Sequence, residues 1–211
     1  MAVLSAGVRR TFREVAREAR RMRCYEIMDE DLIEKKISGE SVFDGRLLHV
    51  RRDTVLLPNG HETTREWVKH PGASAVLPVL DDGSVILVRQ YRYPVGRVTL
   101  EIPAGKLDVP GEDPLECAKR ELKEETGYTA ERYAKIFSLA TTVGFSDEWI
   151  HIYLAEGLTA GKDCPDEDEF INIVRMSLAE AVEKVYDNTI VDGKTVTALL
   201  MYAARRDKKG A

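Results

Sequence analysis

The chain has 211 residues, 44% hydrophobic and 32% charged, with a formal net charge of -5. That suffices for one substantial core and is short for two full domains, so one domain with an N-terminal appendage is expected. The charge excludes the broad positive field that binds a nucleic-acid backbone, so a polyanionic ligand would need a metal ion or local arginines. No run approaches the roughly 18 apolar residues of a membrane helix and no secretory signal is evident; no membrane partner and a cytoplasmic location are expected. Cys24, Cys117 and Cys164 are odd in number and widely spaced, which points to reduced thiols. The four histidines show no paired ligand spacing.

In chain order, residues 1–27 carry seven arginines from Arg9 to Arg23 interleaved with Val8, Phe12, Val15, Ala16 and Ala19, an amphipathic helical pattern. Glu14 and Glu18 within it argue against a transit peptide, so a solvated and dispensable helical extension is expected, with Met28 as an alternative start. Residues 28–72 read as a small antiparallel β subdomain: Glu34 to Val42, Arg46 to Leu57, a Pro58-Asn59-Gly60 turn, then Glu62 to His70. Residues 73–211 read as the main domain. Ala73 to Leu80 and Ser84 to Tyr91, joined by Asp81-Asp82-Gly83, predict a central hairpin, and Arg97 to Ile102 predicts a strand ending at Pro103-Ala104-Gly105. Further strands are expected at Tyr133 to Thr141, Glu148 to Ala155 and Ile171 to Met176, with a surface loop over Lys162 to Glu169. Helices are expected at Leu178 to Tyr186 and Lys194 to Arg205.

The stretch from Gly105 to Tyr128 is the most informative. Asp113-Pro114 starts a helix and Gly127 stops it. Leu115, Ala118, Leu122 and Thr126 then share the docking face, with Glu121 and Glu125 stacked on its flank. Like charges at that spacing repel, so a divalent cation is the expected neutraliser. Hard oxygen ligands suit magnesium, which binds through one or two carboxylates together with substrate phosphates.

These residues resemble the Nudix hydrolase box, G-x5-E-x7-R-E-U-x-E-E-x-G-U, where U is a bulky apolar residue. The match is complete from Glu112 through Arg120, Glu121, Leu122, Glu124, Glu125, Gly127 and Tyr128. Six residues instead of five separate Gly105 from Glu112. A loop absorbs an extra residue more readily than a helix, where it would rotate the acids by about 100°. The resemblance implies an α/β fold, an α/β/α sandwich on a mixed sheet. It also implies that Glu121 and Glu125 bind Mg2+, or Mn2+ in its place, with help from Glu124 and the Ala104 carbonyl. Arg120 is expected to orient the glutamates, and Glu101 and Glu112 to support the site.

Outside the box, Glu101-Ile102-Pro103-Ala104-Gly105, Arg89-Gln90-Tyr91-Arg92 and Arg65-Glu66-Trp67-Val68-Lys69-His70-Pro71-Gly72-Ala73 resemble segments of the ADP-ribose pyrophosphatases. That similarity implies a phosphate contact for Arg92, an adenine contact for Arg65 and Glu66 across a homodimer, and a catalytic role for Glu148 as base alongside Glu121 and Glu125. Trp67 reads as a core or interface residue more readily than as a base-stacking one. One departure from the sub-family is Val143, where a proline is usual. The expected activity is hydrolysis of ADP-ribose to AMP and ribose 5-phosphate. The alternatives are another nucleoside diphosphate sugar or dinucleotide as substrate, or a Nudix module that senses ADP-ribose without turnover.

Overall fold

The computed structural model describes residues 29–161 and 170–210, with side chains through Arg206. The expected extension at 1–27 and the acidic loop at 162–169 lie outside the described residues. Two compact units divide between Trp67 and Val68.

In the first, β1 (Lys35–Asp44), β2 (His49–Leu56) and β3 (Glu62–Lys69) form a sheet in that order. β1 and β2 pair antiparallel from Lys35 opposite Leu56 to Asp44 opposite His49. The Pro58-Asn59-Gly60 turn leads into β3, with Gly60 at φ 83°, a conformation costly for any side chain, and its N–H bonded to the Leu57 carbonyl at 2.9 Å.

The second unit holds β4 (Ala73–Pro78), β5 (Ser84–Arg92), β6 (Arg97–Glu101), β7 (Ala104–Lys106), α1 (Pro114–Thr126), β8 (Tyr128–Ala140), β9 (Trp149–Ala160), β10 (Asn172–Ser177), α2 (Leu178–Tyr186) and α3 (Gly193–Gly210). A four-stranded sheet runs β7-β4-β9-β8, with β4 and β9 parallel and the other pairs antiparallel. A three-stranded antiparallel sheet runs β10-β5-β6. The result is the mixed α/β architecture that the resemblance implies.

The hairpin expectation is corrected. The turn forms, with Leu80 N–H bonded to the Ser84 carbonyl, but only Val79 and Val85 bridge across it before β4 and β5 part into different sheets. Every residue of β4 is buried. A strand apolar on both faces needs cover on both, which a two-stranded ribbon cannot supply, so β4 takes the interior of the larger sheet. A second difference is β7: the residues after Pro103 do not simply turn away but pair with β4, Ala104 opposite Ala75.

The two faces of β4 organise the packing. Ala75 and Leu77 join Leu87, Ile102, Ile152, Ile190 and Leu199 in the main core, whereas Val76 meets Ala118 and Leu122 of α1 and Tyr153 in a second cluster. Each fully buried Val, Leu or Ile among them contributes about 2 kcal/mol. α1 is fixed at both ends, by the Asp113 carboxylate accepting from Leu115 N–H at 2.8 Å and by Gly127 at φ 71°. Docking of Leu122 therefore sets the rotation of the helix, and with it the direction of the glutamates. No helix among the described residues is long and apolar enough to cross a membrane.

Candidate active site

Glu121 and Glu125 are 9% and 4% exposed and lie against β7. The Ala104 N–H donates to Glu125 Oε2 at 3.3 Å, and a Cβ added at Gly105 would lie 1.8 Å from Glu121 Oε1. A side chain at position 105 would have to displace the Glu121 carboxylate, which fills that space. Among the described residues, no group of three His, Cys, Asp or Glu side chains is arranged to enclose a metal by itself. The donor set is instead open-sided, two carboxylates beside a backbone segment, and that suits a hard cation completed by water and phosphate oxygens.

Arg120 ties the acids together. Its Nε and Nη2 reach Glu112 at 3.0 and 3.1 Å, and Nη1 reaches Glu121 at 2.6 Å and Glu124 at 2.9 Å. The bond from Arg120 holds the Glu112 carboxyl below its usual range. The extra loop residue is absorbed before Glu112, where Gly111 sits at φ 78° and Glu112 N–H bonds the Val109 carbonyl. Cys117, fully buried under the loop, has its thiol pushed up to about 12 by burial and by the Glu121 charge, so it is an inert packing residue.

A second cluster lies at the end of β6. Glu101 is 2% exposed and receives Arg92 through Nε and Nη2, both at 2.7 Å, Thr99 Oγ1 at 2.6 Å, and Lys194 Nζ. Burial alone would raise its carboxyl, but Arg92 and Lys194 together outweigh that and hold it down at about 2. Lys194 is expected only as the start of a helix, not as a site residue. A signal did exist: Asp192-Gly193-Lys194-Thr195 starts a helix, and a cation in the first turn opposes the helix dipole and calls for a buried anion.

Glu148 ends the 142–147 loop, and its Oε2 accepts from Thr141 Oγ1 at 2.6 Å. The loop is tied down by Val68 N–H to the Phe145 carbonyl at 2.8 Å and by His70 N–H to Asp147 Oδ1 at 2.7 Å. His70 Nδ1 accepts from Gly72 N–H, which assigns its proton to Nε2, and Glu148 Oε1 lies 3.5 Å from that Nδ1. Glu148 precedes β9, and β9 and β7 flank the same end of β4, where Ala73 faces both Ile150 and Lys106. Two strand spacings, about 10 Å, therefore separate the two flanking strands at this end of the sheet.

Arg65 and Glu66 belong to the first unit, where Arg65 pairs with Glu34 and Glu66 with Arg52. Trp67 Nε1 donates to Asp53 Oδ2 at 3.0 Å, so the indole is held at its polar edge.

The NUDIX domain model matches residues 68–199. The chain belongs to the Nudix family. Residues 34–68 match the nucleoside diphosphate sugar hydrolase N-terminal domain. A Bacillus subtilis (strain 168) protein named ADP-ribose pyrophosphatase is 45% identical over 172 residues, 81% of this chain and 92% of the relative. A Bacillus methanolicus protein named methanol dehydrogenase activator is 45% identical over 168 residues, 79% and 90% of the two chains. A crystal structure of an ADP compounds hydrolase superposes with TM-score 0.75 at 27% identity, covering 85% of this chain and 97% of that one. The Nudix box of this chain is thus the loop from Gly105 together with α1. Its extra residue leaves the Arg120–Glu112 pair intact.

Proposed function

We propose that this Nudix chain is a metal-dependent pyrophosphohydrolase that cleaves ADP-ribose to AMP and ribose 5-phosphate. The observation that carries the reading is the seating of Glu121 and Glu125 against Ala104 and Gly105. The name of the Bacillus subtilis relative supports the choice of substrate. Glu121 and Glu125, with Glu124 and the Ala104 carbonyl, would hold Mg2+ or Mn2+. Bound there, such an ion neutralises diphosphate oxygens and polarises phosphorus. Arg92 presents its guanidinium to the same oxygens. Glu148 Oε1, the oxygen not engaged by Thr141, takes the proton of the attacking water as a bridging P–O bond breaks. Arg65 and Glu66 hold the adenine in a cytoplasmic homodimer. Exposed Ile37, Val42, Phe43, Leu47 and Leu48 on the N-terminal unit give that dimer an apolar surface to cover.

With magnesium and a panel of nucleoside diphosphate sugars, dinucleotides and triphosphates, the protein is expected to prefer ADP-ribose. Glu148→Gln should lower kcat by about 10²- to 10⁴-fold with little change in KM. Full activity in Glu148→Gln would place the base elsewhere, and preference for a triphosphate would overturn the substrate assignment. Gly105→Ala should displace the Glu121 carboxylate and cost on the order of 10²-fold in kcat. An unchanged rate in that variant would show that the carboxylate moves aside without consequence.

A further inference from the structure

Lys194 stands in the first turn of α3 and is 7% exposed. Burial and the helix dipole both disfavour a cation there. Its Nζ lies 3.0 Å from Asp192 Oδ2 and bonds Glu101 Oε2. Asp192 is also occupied by the helix start, accepting from Thr195 N–H at 3.0 Å and from Thr195 Oγ1 at 2.5 Å. Thr195 Oγ1 in turn accepts from the Ile102 N–H at 2.9 Å. The start of α3 thus grips the Glu101–Ile102 backbone just ahead of Ala104 and Gly105.

Glu101 provides one carboxylate for two cations. Each of its oxygens receives two donors: Arg92 Nε and Thr99 Oγ1 on Oε1, Arg92 Nη2 and Lys194 Nζ on Oε2. This leaves Arg92 Nη1 without a hydrogen bond among the described residues, on a side chain that is 43% exposed. Asp192 supplies the second carboxylate, so the four charges balance, and what Lys194 adds is a second donor on Glu101 Oε2. With it, Glu101 Oε2 is held from behind, and the guanidinium keeps a fixed plane with Nη1 left over.

We propose that Lys194 is a positioning residue for substrate binding: by saturating Glu101 it holds Arg92 edge-on and keeps its Nη1 available to donate to the substrate diphosphate. The inference rests on the reading of this chain as an ADP-ribose pyrophosphatase, in which Arg92 meets phosphate.

The test is a double-mutant cycle on the full chain, with KM and kcat for ADP-ribose and thermal melts for each variant. Lys194→Met should raise KM about tenfold and change kcat less than about threefold, whereas in an Arg92→Ala background it should raise KM less than about twofold. Lys194→Arg, which keeps the charge, should recover most of the lost affinity. The same factor in both backgrounds, or a fall in kcat at unchanged KM, would overturn the proposal by showing a purely structural role. If Lys194→Met does not fold, Lys194→Gln enters the same cycle. If the wild type does not turn over ADP-ribose, the functional reading is what has failed. The cycle is then read on calorimetric binding of ADP, where coupling between the two sites supports the Lys194 role and additivity overturns it.

Discussion

Glu121→Gln is expected to lower kcat by about 10³-fold without loss of thermal stability. The carboxylate is 9% exposed and wedged against Gly105, so an amide of the same shape keeps the packing and removes the charge. Two consequences pull apart. On the proposed reading, a divalent ion would lose half of the stacked anionic pair, and the diphosphate oxygens would lose the neutralisation it supplies. The helix, by contrast, is relieved of repulsion between residues one turn apart, worth a few tenths of a kcal/mol. Arg120 retains Glu112 and Glu124, so the loop stays tied to α1. Steady-state rates over a wide magnesium range, with a melt of the same preparation, separate the two effects. A variant as active as wild type at saturating magnesium would remove Glu121 from the metal site, and a collapse of the melting temperature would make it a folding residue.

Glu101→Ala is expected to destabilise the protein by about 4 kcal/mol, roughly 10 °C in Tm, because it strands Lys194 as a buried cation with only the helix-capping Asp192 beside it. The same group predicts a pH dependence. Its folded value, about 2, lies below the unfolded value of about 4.3. The contribution is therefore complete above about pH 4.5 and disappears as the pH falls towards 2, amounting to about 3 kcal/mol over that window. Urea denaturation at pH 7, 4 and 3 checks this: the stability gap between wild type and Glu101→Ala should narrow as the pH falls. Parallel pH slopes for the two proteins would exclude Glu101 as the group responsible.

How far the sequence reaches depends on the distance over which a feature is encoded. The acidic face was legible because Glu121 and Glu125 belong to one helix, whose cap, stop and apolar stripe lie within 15 residues of chain from Asp113 to Gly127. Most strand positions were legible for the same reason, since alternation and turn residues are local signals. The pairing of β4 and β5 was not, because a turn specifies that the chain reverses and says nothing about which neighbours each strand finally takes. β7, three residues long, leaves no periodicity to read.

By itself the sequence determined the Nudix box, the glutamates that share a helical turn and the glycine that ends their helix, since the period of a helix and the conformation of a cap are properties of a few adjacent residues. Only the tertiary structure decided that Gly105 makes room for Glu121 and that Glu112 keeps its bond to Arg120 despite a longer loop. It alone decided that Lys194 closes on Glu101 from 93 residues away. Such contacts exist only once the sheets and helices have packed, because the desolvation that makes a buried ion pair necessary is absent from the extended chain.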